Sequence, residues 1–280
     1  MYFSGVILVS VALDFMTLEF QRGNDLPNML FVPTYTATAW YHKKLTADLQ
    51  SADLKSVVEQ SRNFAINEYG PALLKGDSLT DTERKNIAEK LSRFTGISQQ
   101  FIEEANLRIA DYRFFKELQR DRRLTTGRLD SRFTGRDLDA AGETDEYDPS
   151  YAAIQGVFTA ALNDYLRREL KYENDVTYEI LSDVGDWDQG RQKDRYLSVS
   201  DSLRQAMTQN PDLRVFVACG YYDLATPFFA AEYTMSHLGL EPGLRDHLKM
   251  GYYEAGHMMY INKPSLIQLK EDLVKFYQQQ

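Results

Sequence analysis

Cysteine is almost missing from this sequence. Cys219 stands alone among 280 residues, so no disulfide can close within the chain and no thiolate cluster can hold zinc or an iron–sulfur centre. Histidine is scarce too: His42, His237, His247 and His257 are scattered, with none paired to another at metal-ligand spacing. Long apolar runs are lacking. The longest, GVILVSVALDF from Gly5, is too short to span a bilayer and contains Asp14. It has neither a basic n-region nor a clean cleavage site, so it does not read as an export signal. Basic residues are outnumbered, 32 against 41 acidic for a net charge of −9, and no basic stripe is interleaved with aromatics. That balance excludes a phosphate-neutralising surface for nucleic acid and disfavours anionic membranes. Neither a P-loop nor a G-x-G-x-x-G follows any strand-like segment, so no nucleotide cofactor is expected, and no metal.

What the chain has is a 43% apolar composition, enough for a buried core. VILVSVALDF places aliphatic residues at consecutive positions, the pattern of a parallel strand covered on both faces. LRVFVAC at 213–219 has the same quality, and LRDHLKMGYYEAG contains a third, weaker extended piece just before His257. Between the first two lies a long helical stretch. It is read as helices over 51–76, over 80–96 behind a T-x-x-E capping box at Thr80 and Glu83, over 97–124, and over 149–170 behind an Asp148–Pro149 cap. Residues 127–148 are read as a polar loop rich in Gly and Asp. Further helices are expected at 199–211, after Pro227 and after Pro264. Strand and helix alternating around an all-helical insertion predict an α/β fold. The divisions are 1–37 for a first strand and its connection, 38–172 for a helical cap insertion, and 173–280 for the rest of the core.

In open α/β sheets, ligands sit beyond the carboxyl ends of the strands. Asp223 follows LRVFVAC after a glycine turn, and His257 follows the next extended piece in the same way. Loops leaving neighbouring strands at one sheet edge bring such a pair within hydrogen-bond reach. The carboxylate then fixes the imidazole tautomer and stabilises its protonated form. Against this stands a plainer reading, a turn-forming or capping aspartate and a structural histidine.

The segments GYYDLATPFFAAEYTMSHL and YYEAGHMMYI resemble the acid and base motifs of bacterial serine carboxypeptidase-like proteins, peptidase family S10, a branch of the α/β-hydrolases. GVILVSVALDF, VPTYTATAWYHKKL, GRLDSRFTG and DPSYAAIQGVFTAALNDYL extend the resemblance from about residue 5 to 277. It implies an α/β-hydrolase sheet with a helical cap, Asp223 as triad aspartate, His257 as general base, Met258 lining the substrate pocket, and Gly256 allowing a close approach to the histidine. It also implies a peptide or acyl substrate, no cofactor, and a secreted or periplasmic location. Arg128, Asp130 and Arg132 of GRLDSRFTG are read as ion pairs tying the insert to the sheet or, alternatively, as a pocket rim.

One part of the family pattern is missing. No G-x-S-x-G elbow occurs; GDSLT at 76–80 lacks the second glycine and lies between helices, so Ser78 reads as a loop residue. The glycine-rich oxyanion segment is missing as well. The resemblance therefore implies the carboxyl-terminal portion of such a protein, inactive alone and completed by an amino-terminal segment. A competing expectation is a non-catalytic binding module, with self-association through an exposed sheet edge around residues 6–12. A third has Ser10, at the end of the first strand, as a substitute nucleophile, against its reading as a buried serine bonded to backbone.

Overall fold

Consecutive aliphatic side chains in GVILV and RVFVACG do form strands, of which the second is covered on both sides and the first only in part. The fold is a computed structural model that describes residues 3–176 and 195–278; the segment read as 173–280 is therefore described in part. Strands β1 (Gly5–Val9), β4 (Arg214–Gly220) and β5 (Leu248–Tyr253) make a parallel sheet in the order β1-β4-β5. Val6 pairs with Val215, and Val217 with Met250. A two-stranded antiparallel ribbon, β2 (Thr125–Thr126) and β3 (Thr134–Gly135), lies apart from it.

Side chains alternate across the pleat. Val215, Val217 and Cys219 enter the larger core, whereas Phe216 and Ala218 enter a smaller one with Leu269 and Phe276. The last two belong to the carboxyl-terminal helix Lys263–Gln278, which covers that face. Val6 and Leu8 of β1 pack toward the larger core and Ile7 toward the smaller. β1 is an edge strand, half-buried along most of its length and exposed at Val9.

The helices, in chain order, are α1 (Leu26–Tyr41), α2 (Ala47–Ser51), α3 (Leu54–Phe64), α4 (Gly70–Lys75), α5 (Asp81–Thr95), α6 (Gln99–Glu104), α7 (Asp111–Glu117), α8 (Pro149–Asp164), α9 (Ser200–Gln209), α10 (Phe228–Ser236), α11 (Pro242–Arg245) and the α12 helix just described. The capping box is formed: Glu83 N donates to Thr80 Oγ1 at 3.2 Å and Thr80 N to Glu83 Oε2 at 2.9 Å, while Gly96 closes α5 in the left-handed region at φ 71°. Asp148 caps α8 by accepting from Ser150 N at 2.8 Å.

Two expectations are corrected. Helix begins at Leu26, so the division drawn at 37/38 falls inside α1. Every residue of α1 from Leu30 to Ala39 is buried, and the larger core is shared by the helices and the sheet. A helix covered on all sides shows no polar stripe, and its Pro33 and threonines speak against helix locally; tertiary burial overrides that propensity. The helix read over 97–124 is broken into α6 and α7 by Asn106 and Leu107, at φ 52° and 63°. Burial of Leu107 and Ile109, with the Leu107 carbonyl accepting the buried Tyr69 hydroxyl, holds that break.

Candidate functional site

β4 and β5 end together, and their register carries on into the loops. Tyr221 N donates to Tyr253 O at 2.9 Å and Tyr222 N to Ala255 O at 3.0 Å. The two chains leave the sheet side by side, and this brings Asp223 to His257. Imidazole Nδ1 lies 2.9 Å from Asp223 Oδ2. Asp223 is fully buried, and its carboxylate is saturated with donors. Oδ1 accepts from Ala225 N and Thr226 N, both at 2.9 Å, and Oδ2 accepts the Thr226 hydroxyl at 2.7 Å in addition to the imidazole. The carboxylate is thus both the cap of its own turn and the hydrogen-bond partner of a histidine.

Position along a strand end does not single out Thr226, although an Asp followed three residues later by Thr is a recurrent local signature, with the hydroxyl folding back on the carboxylate. Its Oγ1 is also 3.2 Å from His257 Nδ1. With Nδ1–H directed at Asp223, neutral imidazole carries its lone pair on Nε2, which has no hydrogen-bond partner among the described residues. The ring is 31% exposed. It is placed to take a proton from a group arriving from solvent.

Burial opposes the imidazolium form, but the hydrogen bond and the charge of Asp223 outweigh burial and the nearby positive charge of Arg128, so the His257 pKa is raised above 6.5. A raised folded-state pKa stabilises the protein fully below the unfolded value near 6.5, and that contribution is lost as pH rises through the folded value. In a ring ¹H–¹⁵N titration, His257 should show a midpoint above 6.5 that falls in Asp223→Asn. The stability gap between the native chain and His257→Gln should narrow as pH rises through that midpoint. A midpoint that Asp223→Asn leaves unmoved would remove the ion pair from the account.

GRLDSRFTG turns out to be the bridge that holds both loops. From this segment, between β2 and β3, Arg128 O accepts Leu224 N at 3.1 Å, Leu129 O accepts His257 N at 2.7 Å, and Ser131 N donates to Tyr222 O at 2.9 Å. Asp130, buried, accepts Gly256 N at 3.2 Å and forms a two-pronged ion pair with Arg132. Arg132 also donates to Glu254 O at 2.8 Å and lies over the Tyr222 ring. From behind, Ser131 is held by the Thr38 hydroxyl and by His42 Nε2, each at 2.6 Å. The ion pair of Asp130 and Arg132 lies within the loop itself, and the tie to the sheet is made by their hydrogen bonds to the backbone of Gly256 and Glu254 and not by ion pairs. Arg128 differs: its guanidinium is exposed and has no ion-pair partner among the described residues.

At Gly256 the bridge makes a close approach. A Cβ there would lie 2.4 Å from Leu129 O and 2.5 Å from Asp130 Cβ. Gly256 is buried, and Met258, the residue after His257, is half-buried. Ser10, at φ 49°, donates its hydroxyl to His257 O at 2.5 Å. That bond matches the buried, backbone-bonded serine and directs the oxygen at the carbonyl instead of the ring. Ser78 is exposed in a single 3-10 turn between α4 and α5, as a loop residue. Burial pushes the Cys219 thiol well up, leaving it protonated and unreactive. Compared with protein-family models, with curated proteins and with solved structures, the chain finds no match.

Proposed function

We propose that this chain supplies the acid and base of a serine-type, carboxypeptidase-like peptide hydrolase of the α/β-hydrolase kind. The nucleophile would come from a segment pairing with the edge of β1 that carries no strand among the described residues. The observation that carries this reading is the 2.9 Å contact between a buried, four-donor carboxylate and a part-exposed imidazole, on adjacent loops at the carboxyl end of a parallel sheet. A serine hydroxyl held near Nε2 would attack the scissile carbonyl while His257 takes its proton. Asp223 stabilises the imidazolium, and His257 returns the proton to the departing amine. Water then attacks the acyl-enzyme by the same route in reverse. The edge strand is apolar and only half covered, which suits it to a further parallel neighbour.

The test is to express the reading frame together with the in-frame codons preceding Met1 and to treat the product with a fluorophosphonate. The phosphorus is attacked by the activated serine and fluoride leaves. Labelling of one serine, lost in His257→Ala, is the expected result. No labelling, or labelling that survives His257→Ala, overturns the proposal.

A second reading, a binding module without catalysis, has one observation in its favour. α8 carries no charged residue from Pro149 to Asn163, and it exposes Val157 and Phe158. A protein of that kind stays unlabelled in the same experiment.

A further inference from the structure

Strand β5 ends the sheet on the side away from β1, with no strand beyond it among the described residues. The ladder fixes which of its backbone groups face outward. Val215 N donates to His247 O and Tyr221 N to Tyr253 O, both at 2.9 Å, so by the two-residue period of a strand His247, Lys249, Gly251 and Tyr253 turn their N–H and C=O groups toward β4. Leu248, Met250 and Tyr252 turn theirs away. One of these is used: Tyr252 O accepts Gln268 Nε2 at 3.2 Å. The N–H and carbonyl of Met250 and the N–H of Tyr252 have no partner among the described residues.

This edge lies in a groove of about 440 Å³, not on a flat surface. Gln268, Asp272 and Lys275 of α12 wall it on the face that α12 covers, and Lys55 of α3 stands on the side of the larger core. The charge of the groove runs against that of the molecule. Three lysines, Lys55, Lys249 and Lys275, and one acid line it, in a chain of net charge −9. The acid, Asp272, is already given to the Tyr253 hydroxyl at 3.0 Å and to Lys275 at 3.4 Å. Lys55 and Lys249 are exposed and have no ion-pair partner among the described residues.

An unpaired edge is a template for another strand, and here the lysines select which strand. A second copy of the same edge would bring lysine toward lysine, and like charges facing each other across a strand pair are destabilising. A neutral strand gains nothing from the ammonium groups, which on an edge serve as a guard against such pairing. An acidic strand gains from them. Because side chains alternate, a strand laid here would turn every second residue toward Lys249 and Lys275 on the α12 side, and the others toward the side on which Met250 and Tyr252 pack.

We propose that the outer edge of β5 binds an extended acidic segment of a partner protein, with acids at every second position and apolar residues between them, by adding it to the sheet as a further strand. The groove runs along β5 and the dyad lies past its end, so this inference stands apart from the hydrolase reading.

The test titrates the chain with N-acetyl-Glu-Val-Glu-Val-Glu-amide and follows its backbone amides by ¹H–¹⁵N correlation and hydrogen exchange. The Met250 and Tyr252 amides should shift saturably and become protected from exchange. The counterpart N-acetyl-Lys-Val-Lys-Val-Lys-amide should cause neither change at the same concentration. Alternate peptide residues turn their amides toward the strand, so methylating the nitrogens of both valines and methylating that of the central glutamate should differ: one change abolishes binding and the other leaves it. Lys249→Glu should weaken binding about tenfold or more, and Lys249→Arg should retain it; the side chain is exposed, so neither replacement disturbs the core. A lysine peptide that binds as well, two methylated forms that bind alike, or saturation without protection of Met250 and Tyr252 overturns the proposal. So does a concentration-dependent dimer of the free chain that protects these same amides, which would make a second copy the occupant.

Discussion

In the proposed serine-bearing form of the protein, Asp223→Asn should lower kcat by about 10⁴-fold and leave the fold in place. The donor arrangement explains both halves of that expectation. The substituted amide would keep an oxygen for Ala225 N and Thr226 N, so the turn after β4 survives. On the other branch an NH₂ group would replace the oxygen that accepts the Thr226 hydroxyl and the imidazole. The hydroxyl can rotate and accept instead. The imidazole can meet an NH₂ only by accepting at Nδ1, which moves its proton to Nε2 and removes the lone pair from the edge that faces solvent. The ring then holds the wrong tautomer for a general base. The measurement is kcat with an ester or peptide substrate, beside a urea unfolding curve. A decrease smaller than about tenfold, with the same folded stability, would mean that Asp223 does not orient a catalytic histidine.

Thr226 belongs to the same arrangement, because its hydroxyl is given to Asp223 and not to a substrate. Its 2.7 Å bond completes the carboxylate's donor set. Such support is what keeps a buried carboxylate ionised opposite an imidazole, because an unpaired oxygen there costs desolvation free energy with no return.

Much of the site is readable without any coordinates, and the reasons are physical. β4 announces itself as a run of buried apolar residues, and the first polar group after such a strand falls where open sheets hold their ligands. The helix starts at Thr80 and Asp148 are legible because capping is local chemistry written within four residues. α1 is not legible, since burial on every side removes the amphipathic stripe on which a helix assignment depends. The bridge shows in the sequence as a string of charges, but its work lies in backbone bonds to Tyr222, Leu224 and His257, nearly a hundred or more positions away, and no local pattern encodes those. The crowding at Gly256 is unreadable for the same reason. Its neighbour across the gap is Leu129, from the far side of the chain.

Gly220→Ala should destabilise the chain by about 3 kcal/mol or more, and it should disorganise the dyad even where the sheet persists. The added Cβ would stand 2.3 Å from Gly256 O and 2.4 Å from Ala255 O. Both obstacles are backbone atoms, so no rotamer change relieves the clash. Nor can that backbone simply retreat: Ala255 O is held by Tyr222 N, and the Gly256 amide by Asp130. The loop on which His257 rides would have to part from the loop that carries Asp223, breaking the register that sets their 2.9 Å contact. Gly156→Ala is the matched control. It lies inside α8 with nothing within 4 Å of an added Cβ, so alanine there should be neutral or stabilise the helix by up to about 1 kcal/mol. Urea unfolding of the two variants, with the His257 ring titration as a second readout, distinguishes crowding at the loop crossing from a general intolerance of glycine replacement. Equal stability of Gly220→Ala and Gly156→Ala would show that the two loops are free to separate, and the dyad would lose the scaffold that holds it at hydrogen-bonding distance.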